Sequence, residues 1–264
     1  MKKIESRENP WVKRLNGLKI KKNREKEGVF VAEGLRFLQE IPAENRVEAF
    51  VVSESFAKTE DLSSYRERAE LICLSDALFR TVCDTEHPQG ILAVCEQMKW
   101  EQAAVLEKET PFLLVAEELN DPGNLGTIIR TADACGADGV FLSKGSVDLY
   151  NPKVLRSTMG SLFHVPVFQN IDLQELSVEL KQKHIPLYAA HLKGEGYPYA
   201  LPLTNACAFL IGNEARGLRE ETAALCNRWV KIPMPGQAES LNASVAAGVL
   251  LYEAVRQRLE KANA

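Results

Sequence analysis

Long apolar runs are missing from this chain: none of its 264 residues falls in a stretch as long as the roughly 18 apolar residues that a membrane-crossing helix needs. The first residues, Met-Lys-Lys-Ile-Glu-Ser-Arg, are charged and lack an apolar core, so no secretory leader is expected. Cysteine is sparse and dispersed. The six, at positions 73, 83, 95, 135, 207 and 226, form no Cys-x-x-Cys pair, which excludes a disulfide framework and fits reduced thiols in a cytoplasmic protein. The four histidines are equally scattered, so no metal site can be read. Also missing is a Gly-x-Gly-x-x-Gly loop with an acidic residue about 20 positions later, which argues against a nicotinamide-dependent dinucleotide enzyme. There is no internal repeat and no low-complexity tract.

What is present is the composition of a globular protein, 45% hydrophobic and 26% charged, with length enough for two ordinary domains. The net charge of −4 speaks at first against a nucleic-acid partner. Its distribution reverses that, because residues 1–40 hold eleven lysines and arginines against six glutamates. Residues 9–27 read as one basic amphipathic helix, with Pro10 at its start and Gly28 as its stop. Lys13, Arg14, Lys21, Lys22 and Arg24 on it are candidate RNA contacts, and a solvated helix is the plain alternative. Short strands and helices alternate up to residue 98, as in a small α/β domain. Residues 99–110 are charged and read as a linker. From 111 onward, apolar strands at 112–118, 139–143, 164–168, 185–190, 207–211 and 229–233 alternate with helices. Continuous apolar strands imply a mainly parallel sheet, whose ligands bind at the carboxyl ends of the strands.

Unusual polar strings stand at those ends. The first runs from Asn120 through Asp121-Pro122-Gly123-Asn124 to Arg130, a turn into a helix whose N-terminus can hold an anion. The second is Gly212-Asn213-Glu214-Ala215-Arg216-Gly217. The third runs Ile232-Pro233-Met234-Pro235-Gly236, then Ser240-Leu241-Asn242-Ala243-Ser244-Val245-Ala246, a broken strand leading into a capped helix. Leu241, Val245, Gly248, Tyr252, Val255 and Leu259 lie on one face of that helix. A fourth string, from Asn151-Pro152-Lys153 to Arg156-Ser157, offers Lys153 and Arg156 as phosphate contacts, although an ordinary helix reads the same way.

Read singly, each string fits a turn or a capped surface helix. Taken in order they resemble the motifs of the SpoU (TrmH-like) RNA ribose 2′-O-methyltransferases of the SPOUT class, with Ala215 replacing a glycine of the second motif. That resemblance implies an α/β protein: an N-terminal domain related to the L30e/L7Ae RNA-binding fold in residues 1–98, then a SPOUT domain in residues 111–264. The latter would have a mainly parallel sheet and a C-terminal trefoil knot, which sequence patterning cannot supply and connection rules disfavour. It implies S-adenosylmethionine as methyl donor and RNA as acceptor, with 23S ribosomal RNA favoured over transfer RNA, and a homodimer in the cytoplasm. An inactive RNA-binding relative is a further alternative. Carried over by motif, Asn120, Arg130, Glu214 and Asn242 take catalytic-site places. Gly212, Ile232 and Leu241 line the cofactor pocket, with Met234, Ser240 and the strand end at Ala190 close by.

Overall fold

The computed structural model describes residues 2–263 as two compact units, one up to Lys99 with Tyr150–Phe163, the other Trp100–Leu149 with the chain from His164 onward. In the first unit, strands β1 (Lys2–Ile4), β2 (Val29–Glu33), β3 (Val47–Ser53), β4 (Glu70–Leu74) and β5 (Ile91–Glu96) form a mixed sheet in the order β1-β4-β3-β5-β2. Its core gathers Leu15, Leu18, Ile72, Leu74, Phe79 and Leu92. The helix Pro152–Thr158 also belongs to this unit, where the neighbouring rings of Tyr150 and Phe163 lie 4.8 and 6.2 Å from that of Phe30.

The basic segment expected as one helix is two, Pro10–Gly17 and Lys21–Glu27. A helix end leaves carbonyls without partners, and here side chains satisfy them. The Asn23 amide donates to Gly17 O at 2.9 Å, and one Arg24 nitrogen donates to Leu18 O and Lys19 O at 2.7 and 2.8 Å. Arg24, expected on the RNA face, is therefore 4% exposed and fastens the helix junction. Arg14 is likewise engaged, pairing with Glu27 and Glu48 at 2.6 Å each. Lys13, Lys21 and Lys22 remain exposed.

In the second unit, β6 (Phe112–Ala116), β7 (Gly139–Ser143), β8 (Val167–Ile171), β9 (Leu187–Ala190), β10 (Cys207–Ile211) and β11 (Arg228–Val230) form one sheet. Its order is β11-β9-β10-β6-β7-β8 and every pairing is parallel. All strand ends of one kind thus lie on one side, which collects the polar strings there. Two strands sit apart from their expected places for a shared reason. Proline has no N–H to give a ladder: β8 begins only after Pro166, and β11 ends short of Pro233 and Pro235. The segment expected as a linker carries a short helix, Gln102–Leu106, with Val105 and Leu106 buried in this unit's core.

The C-terminal helix Ala243–Ala262 buries Ala247, Leu250, Leu251 and Ala254. Its other apolar face, with Val245, Val249, Tyr252 and Leu259, stays exposed. Among the described residues, no helix is long and apolar enough to cross a membrane.

Candidate active site

The carboxyl ends of β9, β10 and β11 open onto a cavity of about 330 Å³. Every residue expected at the cofactor lines it: Ala190, Gly212, Ile232, Met234, Ser240 and Leu241. Glu214 lines it too, whereas Asn120, Arg130 and Asn242 stand outside its wall.

Why the loops meet here is visible in their hydrogen bonds. The Glu214 carboxylate accepts from the backbone N–H of Asn120 at 3.1 Å and of Asp121 at 2.9 Å, and from the Asn124 amide at 3.1 Å. Asn124 Oδ1 in turn accepts from the Asn242 amide at 2.9 Å. Asn242 Oδ1 caps the C-terminal helix, taking the N–H groups of Ser244 and Val245 at 2.9 and 3.3 Å. One chain of contacts therefore ties the three polar strings together. Burial raises the Glu214 pKa, but the N–H groups of Asp121, Glu214 itself and Asn120, together with the Asn124 amide, outweigh it and leave the carboxyl below its ordinary value. The group is a charged anchor and holds no proton near neutrality.

The loop after β10 is shaped from within and below. Asn213 Nδ2 donates to Glu118 O at 2.7 Å while its Oδ1 accepts the N–H groups of Ala215 and Arg216 at 3.0 and 3.2 Å. Glu117, 1% exposed, accepts from Arg219 N and Nε at 3.0 and 2.7 Å and from the Thr222 hydroxyl. A buried carboxylate needs such company, since removing it from water unpaired is costly. Sequence reading missed Asn124 and Asn213 as joints. Both lie inside the recognised strings, and a short amide side chain beside a helix cap or a turn glycine is the signal that could have found them.

Arg130 projects from the helix Pro122–Ala134, which Asp121 caps through a 2.8 Å contact to Asn124 N. It is exposed, with no ion-pair partner among the described residues. Its neighbour Thr131 packs near Gly248 of the C-terminal helix, where an added Cβ would lie 3.8 Å from Thr131 Cγ2. Lys153 and Arg156 lie on the helix Pro152–Thr158 of the first unit, both exposed. Among the described residues no group of three or more His, Cys, Asp or Glu could hold a metal ion.

The cavity offers a ligand both apolar and polar contacts. Its walls are apolar at Ile211, Val230, Ile232 and Leu241 and polar or charged at His191, Asn213, Glu214, Arg216, Glu239 and Ser240. Its floor at Gly212 runs so close to the following loop that a Cβ there would sit 2.2 Å from Gly217 C. A cleft with convergent polar groups at the carboxyl ends of parallel strands is the usual place for a ligand in such a sheet. Residues 111–252 match the model of the SpoU rRNA Methylase family. The chain belongs to that family. Residues 9–93 match the MRM3-like substrate binding domain, which fits the SpoU arrangement of a substrate domain ahead of the methylase. A relative from Bacillus subtilis (strain 168), the 23S rRNA (guanosine(2553)-2′-O)-methyltransferase RlmP, is 38% identical over 254 residues, which cover 96% of this chain and 98% of RlmP. The solved AdoMet-bound rRNA methyltransferase from Sinorhizobium meliloti matches with a TM-score of 0.87 at 28% identity, over 97% of this chain and 98% of that one. The SpoU methyltransferase AviRb from Streptomyces viridochromogenes, in complex with the cofactor AdoMet, matches with a TM-score of 0.85 at 30% identity, over 95% and 98%.

Proposed function

We propose that this SpoU protein transfers the methyl group of S-adenosylmethionine to a ribose 2′-hydroxyl of 23S ribosomal RNA. The observation that carries this is the cavity at the ends of β9, β10 and β11, walled by the second and third strings, which one hydrogen-bond chain through Asn124 ties to the first. When bound, S-adenosylmethionine supplies an electrophilic methyl on a sulfonium leaving group. Gly212, Ile232 and Leu241, with Met234, Ser240 and Ala190, would hold it. Glu214 and Asn242 keep the two cofactor loops docked on the Asn120 turn. Asn120, at the rim of that turn, faces the acceptor side. The enzyme's remaining task is to align the attacking oxygen and ease loss of its proton. Arg130 serves this as a clamp: a guanidinium with a pKa above about 12 is a poor base, but it holds a phosphate in two-pronged fashion and steadies a developing alkoxide.

The exposed seam of Val245, Val249, Tyr252 and Leu259 on the C-terminal helix supports a homodimer formed through the methylase domain. The RNA-substrate domain is assigned to the first unit, residues up to 99 with 150–163, and the methylase domain to the second, which takes in the expected joining segment from Trp100 and whose cofactor loops would carry the family's trefoil knot. Lys13, Lys21 and Lys22, with Lys153 and Arg156, are exposed and would meet RNA phosphates. A 23S ribosomal RNA substrate supports a cytoplasmic location. Arg130→Lys tests the clamp: turnover on ribosomal RNA should fall by about 100- to 1000-fold, the span of losing one transition-state donor, while S-adenosylmethionine affinity measured by calorimetry stays the same. Near-full turnover in that variant would remove the clamp from the mechanism.

A further inference from the structure

The chain between β9 and β10 carries an aromatic pair that the methyl-transfer site does not use. Tyr197 and Tyr199 stack with ring centroids 5.2 Å apart and planes 9° apart, and they are 41% and 58% exposed. The turn that carries them, Pro198–Ala200, has its proline buried and is closed by Ala200 N–H donating to Tyr197 O at 3.0 Å. Just before it, Gly196 pairs in parallel with Val230, and Lys231 N–H donates to Gly196 O at 2.8 Å. Gly194 lies so flat on β11 that a Cβ there would be 2.8 Å from Val230 C. Val230 lines the cofactor cavity, as do His191 and Leu192 at the start of the same segment. The two rings are thus fastened to the cavity's outer wall.

Basic residues lie along the adjoining strand. The register that pairs Gly196 with Val230 sets Tyr197 beside exposed Lys231, and the Arg228 side chain runs past Gly196, 3.3 Å from where a Cβ would be. Lys193, loosely paired with Glu220 at 3.8 Å, and Glu195 complete the charged surroundings. Exposed aromatic faces among basic side chains are the chemistry that holds unpaired nucleotides, by base stacking beside phosphate contacts.

We propose that the Tyr197–Tyr199 pair is a stacking platform for an unpaired base of the RNA substrate next to the methylated nucleotide. The proposal rests on the reading of this chain as an RNA methyltransferase, and its test separates the two. A single-stranded RNA dodecamer carrying 2-aminopurine is titrated against the whole wild-type protein, against Y197F/Y199F and against Y197A/Y199A. S-adenosylmethionine calorimetry and sedimentation run in parallel. The wild type and the phenylalanine variant should quench the probe. The alanine variant should lose quenching and bind the RNA roughly 5- to 100-fold more weakly, the worth of one or two stacked bases, with cofactor affinity and particle mass unchanged. Photocrosslinking of 4-thiouridine RNA to the wild-type protein gives a readout independent of any variant's folding, and the adduct should map to Tyr197 or Tyr199. Retained RNA affinity in Y197A/Y199A, a drop in its particle mass with RNA binding intact, or crosslinks confined to other segments would each overturn the platform. Failure of the wild type to bind S-adenosylmethionine would instead strike the methyltransferase reading itself.

Discussion

Replacing Gly212 with alanine puts the floor of the cofactor cavity under direct test. The new methyl would lie 2.2 Å from Gly217 C, 2.3 Å from Leu218 N and 2.6 Å from Gly217 O, all backbone atoms with no side-chain freedom to yield. Carbon atoms rest about 3.5–4.0 Å apart, so residues 217 and 218 must retreat by more than about 1 Å. That retreat strains the pair of hydrogen bonds closing the loop, Asn213 N to Gly217 O at 3.1 Å and Gly217 N to Asn213 O at 2.9 Å. Overpacking of this kind costs about 1–3 kcal/mol, a fall in melting temperature of about 3–10 °C for a chain of this size. The loop carries the cavity wall from Asn213 to Gly217, so S-adenosylmethionine affinity should drop by at least about tenfold, as misplacements near 1 Å do elsewhere. Differential scanning calorimetry and isothermal titration measure the two effects. A Gly212→Ala protein that melts with the wild type and binds the cofactor as tightly would show that the close approach of these two strands of chain is not a functional constraint.

Asn242 performs two tasks that substitution can separate. Asn242→Ala loses the helix cap and should cost about 0.5–2 kcal/mol, read as a lower melting temperature, together with weaker cofactor binding. Asn242→Asp keeps the capping oxygen but removes the donor to Asn124, so it should stay near wild-type stability and still bind the cofactor poorly; equal behaviour of both variants would contradict the division. Glu214 sets an acid limit. Its pKa is depressed in the fold, so its contribution is complete above the ordinary value of 4.5 and is lost as pH falls through the lower folded value. Melting temperatures taken from neutral pH downward should therefore fall more steeply for the wild type than for Glu214→Gln below that point, and parallel acid slopes would argue that the carboxylate is not the anchor. Sedimentation of the wild type should give twice the 29.4 kDa protomer mass, and Tyr252→Glu, which puts a charge on the exposed seam, should return it to one; a monomeric wild type would remove the dimer.

The sheet of the second unit was legible because its strands are continuous apolar runs, which only a layer covered on both faces accommodates. The cavity was legible for a different reason: Gly212 and Ile232 sit just past strand ends, Leu241 just ahead of the cap of the C-terminal helix, and the motif resemblance named their role. The basic helix was not. Periodicity carries through residues 18–20 without a breaker, and nothing local says that Arg24 and Asn23 will turn back to cap the first helix. Charge counts failed at the same place, because a lysine left in water and an arginine folded onto carbonyls contribute equally to a tally. Asn124 escaped notice because its two partners, Glu214 and Asn242, are remote in the chain and meet it only in the folded protein.

The claim on which the rest depends is methyl transfer to a ribose 2′-oxygen of ribosomal RNA. Total RNA from cells with and without this gene, sequenced after partial alkaline cleavage, reports every 2′-O-methylated linkage by its resistance. A protected linkage in 23S ribosomal RNA that vanishes with the gene and returns with the purified protein and S-adenosylmethionine is the expected result. Identical cleavage patterns in the two RNAs, or methyl incorporated on a base with every ribose left cleavable, would contradict it.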